Sequence, residues 1–283
     1  MKKELGIFIH PYSDPPAQRK AQAINDNISS SFRTQEIADL STARRILVVG
    51  GDGSLRRVMQ FLYDEEALET QIGILGGGTN NVIHKELIRN GVTHSLEDFL
   101  DSDQGKDEHL LFRPGLFGNQ VFTVTVGVGQ FENMAGSYLE KLRAYTPRRL
   151  RFKISSLFSL VSMMARENPN LLPLDLVSTS PNFGSVTLFP QQELHSSLLT
   201  HAWIEEKGFE GLRKLLVTLF CWQTGIKPPK SALKTEQADS FELSNPGSTL
   251  WADGDTFFRF LGENHGNMLV NRASQAFAVT AII

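Results

Sequence analysis

One cysteine in 283 residues leaves no disulfide framework and no cysteine-based metal cluster. Cys221, set among Leu219, Phe220 and Trp222, reads as a buried thiol. No apolar run approaches the ~18 residues of a membrane-spanning helix. Gly6–Ile9, after two lysines, is too short for a signal peptide, so the expected setting is soluble, reducing and cytoplasmic. Neither sign of charge dominates: 28 Lys and Arg against 31 Asp and Glu give a net charge of -3. With a pI near 6.2 this offers no general case for nucleic-acid binding. The sequence has no internal repeat, no low-complexity segment and no G-x-S-x-G turn of the hydrolase type.

Against these absences stands one informative stretch, Ile46-Leu47-Val48-Val49-Gly50-Gly51-Asp52-Gly53-Ser54. Four apolar residues run into a glycine-rich turn, and Leu55, Val58, Met59 and Leu62 follow at helical spacing, which predicts strand, tight turn, helix. Such a turn exposes the first N–H groups of the helix and the positive end of its dipole, a ready anion site. It is neither G-x-x-x-x-G-K-[ST] nor G-x-G-x-x-G, because no Lys follows in place and Arg56 occupies the last glycine position. A carboxylate beside a phosphate is repulsive unless a cation stands between them or the carboxylate has a proton to accept. Asp52 therefore points to magnesium-nucleotide chemistry; the structural alternative is that Asp52 or Ser54 merely caps the helix.

A second turn of the same kind, Gly76-Gly77-Gly78-Thr79-Asn80-Asn81, follows the short strand Gln71–Leu75 and precedes a helix containing Val82, Ile83 and Leu87. With a first strand over Leu5–Ile9 ending at His10-Pro11, a helix over Gln18–Ile28 and a weak strand or helix over Phe32–Ile37, the alternation predicts a parallel sheet covered by helices. Ligands of such sheets bind beyond the carboxyl ends of the strands, where both glycine turns lie.

The length favours two domains or one domain with a large second lobe, and acidic Asp101–Glu108 marks a boundary. Val121–Val126 alternates as one strand does. Strand-like segments recur at 173–178, 184–190, 198–204, 239–244 and 256–260, with helical patterns near 134–143, 154–166 and 209–222. Lys141, Arg143, Arg148, Arg149, Arg151 and Lys153 lead into Ile154, Leu157, Phe158, Leu160, Val161, Met163 and Met164. Basic residues beside an apolar helical face suit an anionic membrane surface; a core helix after a solvated loop would read the same way. Leu212, Leu215, Leu216, Leu219 and Phe220 form a second apolar helix, read as core. Asp253-Gly254-Asp255 after a strand is by itself a common hairpin turn.

Gly50–Ser54, Gly73–Asn81 and Asp253-Gly254-Asp255, in this order and at these separations, resemble the diacylglycerol kinase and sphingosine kinase family of lipid kinases, including its soluble bacterial members. The resemblance extends to Val126-Gly127-Val128-Gly129 and to the apolar helix ending at Gly225. It implies an α/β nucleotide-binding domain over 1–105, with a parallel sheet and helices on both faces. A mainly antiparallel β-sandwich lipid-substrate domain over 106–283 follows, its last strand at about 270–283 packing back on the first domain, with the active site in the cleft. ATP and magnesium would phosphorylate a lipid hydroxyl, diacylglycerol-like or sphingoid, by a reaction of positioning and charge neutralisation.

By the same resemblance Asp52 holds metal and takes part in catalysis, and Asp255 replaces a glutamate general base. His10, Gly50, Gly51, Gly53, Ser54, Arg56, Gly76, Gly77, Gly78, Thr79 and Asn81 would hold the nucleotide. A peripheral contact with the membrane through 141–153 is expected, no nucleic acid, and a homodimer is compatible. The sequence departs from the family at His10-Pro11 (for Asn-Pro), Ser54 (for Thr), Arg56-Arg57 (for Asn-Glu), Gly76 (for Pro), Val82 (for a frequent Asp) and Asp255 (for Glu). Ser196–Thr200 stands where some bacterial members hold a structural metal, and none is expected here. A catalytically degenerate lipid- or nucleotide-binding module is the alternative from another class, and an NAD kinase, which shares the Gly-Gly-Asp-Gly turn, is a third.

Overall fold

A computed structural model describes residues 3–9, 16–19, 32–34, 40, 43–78, 81–100, 109–131, 138, 141, 145, 148–165, 172–183, 186–187, 192–224, 226–244, 250–253, 256–258 and 267–283. The chain divides into two compact units, Met1–Pro114 with Ala273–Ile283, and Gly115–Arg272. In chain order the first unit contributes β1 (Lys3–Ile9), β2 (Phe32–Thr34), β3 (Ala43–Gly50), α1 (Asp52–Asp64), β4 (Gln71–Gly76), α2 (Val82–Arg89), β5 (Thr93–His94), α3 (Leu96–Leu100) and β6 (Leu110–Phe112). The second begins with β7 (Gly115–Phe117), β8 (Gln120–Phe122), β9 (Thr125–Gly127), α4 (Arg148–Ala165), β10 (Asp175–Ser178), β11 (Asn182–Phe183), β12 (Val186–Thr187) and β13 (Leu199–Trp203). It continues with α5 (Gly208–Thr224), β14 (Lys234–Ala238), β15 (Ser240–Ser244), β16 (Leu250–Ala252), β17 (Thr256–Phe258) and β18 (Asn267–Arg272), and the chain returns to the first unit in β19 (Phe277–Ile282).

The first unit is built on a sheet of order β2-β1-β3-β4-β19-β5, parallel throughout, with β6 antiparallel against β19. Ile46, Leu47, Val48 and Val49 are fully buried, as an unbroken apolar run must be when a parallel sheet is covered on both faces. Leu55, Val58, Met59 and Leu62 form the buried face of α1. Leu5, Ile7, Leu47 and Val49 pack with Phe99 of α3 on one side of the sheet.

The second unit holds a six-stranded antiparallel sheet, β14-β13-β10-β9-β16-β17, a four-stranded antiparallel sheet, β15-β18-β7-β8, and the pair β11-β12. Alternation along β10 shows how they stack. Val177 joins Phe117, Phe122, Leu243 and Val270 in a core between the two larger sheets, while its neighbour Leu176 faces the other way, onto Met163 of α4 and Leu215 and Trp222 of α5. This is a β-sandwich with two helices on the outer face of the larger sheet. Together with the parallel, helix-covered sheet of the first unit, it is the fold class the sequence predicts.

Several element readings change. Val121–Val126 is two strands, β8 and β9, with a bend at Thr123-Val124 whose amides bond to Asp253. The last strand is also two, β18 in the second unit and β19 in the first. Helix α4 begins at Arg148, so Arg148, Arg149, Arg151 and Lys153 lie within the helix rather than in a loop before it. Of the five apolar residues Leu212, Leu215, Leu216, Leu219 and Phe220 of α5, Leu215 alone is fully buried; Leu216 is 46% and Phe220 65% exposed, so the reading of this helix as core holds for one face alone. Strand β14, a polar edge strand exposed over Lys234–Gln237, has no apolar alternation by which to be seen. The expected helix over 18–28 lies outside the described residues beyond Arg19, as do the acidic segment 101–108 and most of 134–143 and 184–190.

Candidate nucleotide turns and acidic corner

The two glycine turns of the first unit are bound to one another. Strands β3 and β4 end side by side, Gly50 opposite Gly76, and the Gly77 amide donates to the Gly50 carbonyl at 2.8 Å. One residue further along, a Cβ on Gly78 would stand 2.4 Å from the Gly51 Cα, and a Cβ on Gly51 would stand 3.0 Å from the Gly78 Cα. Only glycine at these positions lets the turns meet. The Gly78 amide donates to Asn81 Oδ1 at 2.8 Å, and Asn81 adopts the left-handed region (φ 49°, ψ 50°), which Asn tolerates better than most side chains.

Asp52, 8% exposed, connects the turns electrostatically. Its Oδ2 accepts from the Val82 amide at 2.9 Å and its Oδ1 from the Ile83 amide at 3.0 Å. These are first-turn amides of α2, so the positive end of that helix faces the carboxylate. The alternative in which Asp52 or Ser54 caps its own helix is not what the structure shows: α1 has no side-chain cap, whereas α2 is capped by a residue 30 positions upstream. The anion at the start of α2 is the protein's own. Among the described residues no group of three or more His, Cys, Asp or Glu side chains is placed to hold a metal. A single carboxylate at the junction of the two turns nevertheless suits magnesium, which keeps several waters and is bound through one or two carboxylates plus substrate phosphates.

Ser54 and Arg56 are buried, at 4% exposure each, and Arg57 is exposed. Of the arginine pair, then, Arg56 is packed in and Arg57 faces solvent. His84 is a neighbour that the sequence did not single out, since one histidine in an amphipathic helix carries no pattern. A Cβ on residue 76 would lie 3.0 Å from His84 Nδ1, so Gly76 leaves the space this ring borders. His84 Nε2–H donates to the Ile282 carbonyl at 3.3 Å. Burial holds its pKa below the ordinary 6.5 against that bond, with Lys85 adding to the depression. Neutral at pH 7, the ring presents Nδ1 as an acceptor at the edge of the second turn. His10, Thr79 and Asp255 lie outside the described residues.

In the second unit Asp253 forms an acidic corner of its own. Oδ2 accepts from the Thr123 amide (2.8 Å) and hydroxyl (3.0 Å), and Oδ1 from the amides of Val124 (2.6 Å) and Thr125 (3.1 Å). Its own amide donates to the Thr125 carbonyl at 2.9 Å. Asp253 adopts φ 56° to do so.

Residues 18–107 match the family model of the diacylglycerol kinase catalytic domain. No protein of curated function matches the sequence. Among solved structures, a candidate diacylglycerol kinase from Bacillus anthracis str. Sterne is similar at 14% identity and a TM-score of 0.65, over 99% of this chain and 97% of that one. A diacylglycerol kinase structure from the same organism gives 14% and 0.63, over 98% and 96%. These likenesses show the fold. An NAD kinase from Archaeoglobus fulgidus in complex with ATP, at 11% identity and a TM-score of 0.41 over 98% and 93%, is too distant to carry an argument.

Proposed function

We propose, from the premise that this chain is a protein of the diacylglycerol kinase and sphingosine kinase family of lipid kinases, that it transfers the γ-phosphoryl group of ATP to a lipid hydroxyl with magnesium. The observation that carries the reading is the buried Asp52 carboxylate at the junction of two glycine turns that touch each other. In this reading Gly50, Gly51, Gly53 and Ser54 on the first turn, and Gly76, Gly77, Gly78, Thr79 and Asn81 on the second, cradle the phosphates, with His10 and Arg56 beside them. Asp52 holds the metal, which when bound neutralises charge on the phosphate oxygens. Asp255 accepts the proton of the lipid hydroxyl as its oxygen bonds to the γ-phosphorus, and the bond to the bridging oxygen breaks, its electron pair leaving with ADP.

A second reading, the catalytically degenerate module, is favoured by one specific observation. Asp52 spends both oxygens on Val82 and Ile83, and the amides of Gly77 and Gly78 bond within the turns. The two readings separate by transfer of labelled phosphate from ATP to diacylglycerol, sphingosine, ceramide, phosphatidylglycerol and NAD. Kinase activity predicts a labelled lipid that disappears in Asp255→Ala and in Asp52→Asn, a variant chosen because Asp52→Ala also removes the cap of α2. ATP binding without any product selects the module, and labelled NAD with no labelled lipid selects the NAD kinase.

A further inference from the structure

The chemistry proposed above leaves His84 without a task, yet its ring lies at the edge of the second glycine turn. Strands β3, β4 and β19 run side by side, and Gly50, Gly76 and Ile282 stand at their carboxyl ends. Neighbouring strands are about 4.8 Å apart. The Ile282 carbonyl that accepts from His84 Nε2 therefore marks a position one strand along from the turns that would hold the phosphates. Ligands of a parallel sheet lie along this same edge.

Two backbone groups fix what the neighbourhood offers a ligand. A carbonyl only accepts, so the bond to Ile282 puts the ring proton on Nε2 and leaves a lone pair on Nδ1. An amide N–H only donates, so the Gly78 amide fixes Asn81 Oδ1 as the atom turned toward it and leaves Asn81 Nδ2 as a donor. Both nitrogens border one point: a Cβ on residue 76 would stand 3.0 Å from His84 Nδ1 and 3.1 Å from Asn81 Nδ2. Among the described residues neither nitrogen has a hydrogen-bond partner, and both side chains are partly buried. Gly76 thus keeps side chain out of the ground between a donor and an acceptor. A phosphate oxygen would meet the Nδ1 lone pair, and a base amino group would leave Asn81 Nδ2 unanswered. A hydroxyl accepts from one and donates to the other. The first amides of α2 do not compete for it, because Asp52 takes them.

We infer that Asn81 and His84 together read a ribose hydroxyl of the nucleotide, so that this chain selects ribonucleotides over their deoxy counterparts. The inference deepens the lipid-kinase reading by naming the nucleotide class, and it rests on that reading for the nucleotide but not for catalysis.

The test is calorimetric titration of the full chain, with magnesium and without lipid, by ATP and by its 2′-deoxy and 3′-deoxy forms. One deoxy form is expected to bind about tenfold more weakly than ATP, and which one it is names the hydroxyl. His84→Gln keeps a donor for Ile282 but loses the acceptor at Nδ1, and it should no longer distinguish ATP from that form. His84→Asn sets an amide oxygen near the place of Nδ1 and should restore part of the discrimination. A ring that serves only to pin α2 to β19 gives the opposite order, with His84→Gln behaving as wild type. Equal binding of all three nucleotides by wild type, or discrimination retained in His84→Gln, overturns the inference. The comparison within wild type depends on no variant's folding. Selective ATP binding without any lipid product defeats the kinase reading alone, lipid product with unselective binding defeats this inference alone, and no ATP binding defeats both.

Discussion

Asp52 in the first unit and Asp253 in the second each give both carboxylate oxygens to backbone amides distant in sequence, but they hold different things. Asp52 meets the start of a helix, through Val82 and Ile83, while Asp253 meets a bend between two strands, through Thr123, Val124 and Thr125. Asp52 reaches its partners from a helical backbone, whereas Asp253 must enter the left-handed region at φ 56°. An acid on a turn is therefore a potential ligand for amides before it is one for a metal. Residue spacing shows the acid and not which of these it serves.

The largest effect expected is that of Asp52→Ala. It leaves the first amides of α2 without their charge-assisted acceptor, at a cost of about 3 kcal/mol, and should abolish the phosphotransfer proposed above. Urea unfolding should show the loss as a lower midpoint at unchanged slope. An unaltered midpoint would remove Asp52 from the role of cap and make its place purely chemical. Asp253→Ala should cost about 2–3 kcal/mol on the same arithmetic. Here Asp253→Asn, which tolerates the left-handed region and keeps one acceptor, should recover part, and Asp253→Gly only the conformational share. If Gly rescues as well as Asn, the amide bonds contribute little and the comparison with Asp52 fails.

Next in size is Gly78→Ala, whose Cβ would stand 2.4 Å from backbone of the other turn. It should destabilise by about 1–3 kcal/mol and weaken ATP binding by displacing one turn from the other. Wild-type ATP affinity in a folded Gly78→Ala protein would show that the turns need not touch. The smallest effect is pH-dependent. The pKa of His84 is lowered in the folded protein from 6.5, so below that value the unfolded chain takes up a proton that the folded one refuses. Stability present above pH 6.5 should decline as pH falls toward the folded pKa. His84→Gln should flatten that part of the stability–pH curve, and an unchanged slope in the variant would put its origin elsewhere.

Much of the first unit was legible because its signals are local. Ile46–Val49 is an unbroken apolar strand and Leu55, Val58, Met59 and Leu62 keep helical period; both elements are observed. The second unit was harder. Its strands are short and several are polar or interrupted: Lys234–Ala238 has no apolar alternation, and Val121–Val126 reads as one strand although a carboxylate about 130 residues away bends it. His84 escaped notice because its neighbours, Gly76 and Ile282, come together only when β4, α2 and β19 pack.

By itself, then, the sequence determined the strand-turn-helix units, their two glycine turns and the parallel class of the first sheet, because turn chemistry and hydrophobic period act over a few residues. Tertiary structure alone decided that Gly51 and Gly78 touch, that Asp52 caps α2 rather than its own helix, and that Ser155 and Ser159 of α4 face in while Phe158 faces out. Those outcomes depend on which amide, carbonyl or methyl group arrives from elsewhere in the chain. Long-range packing sets that, and no local pattern encodes it.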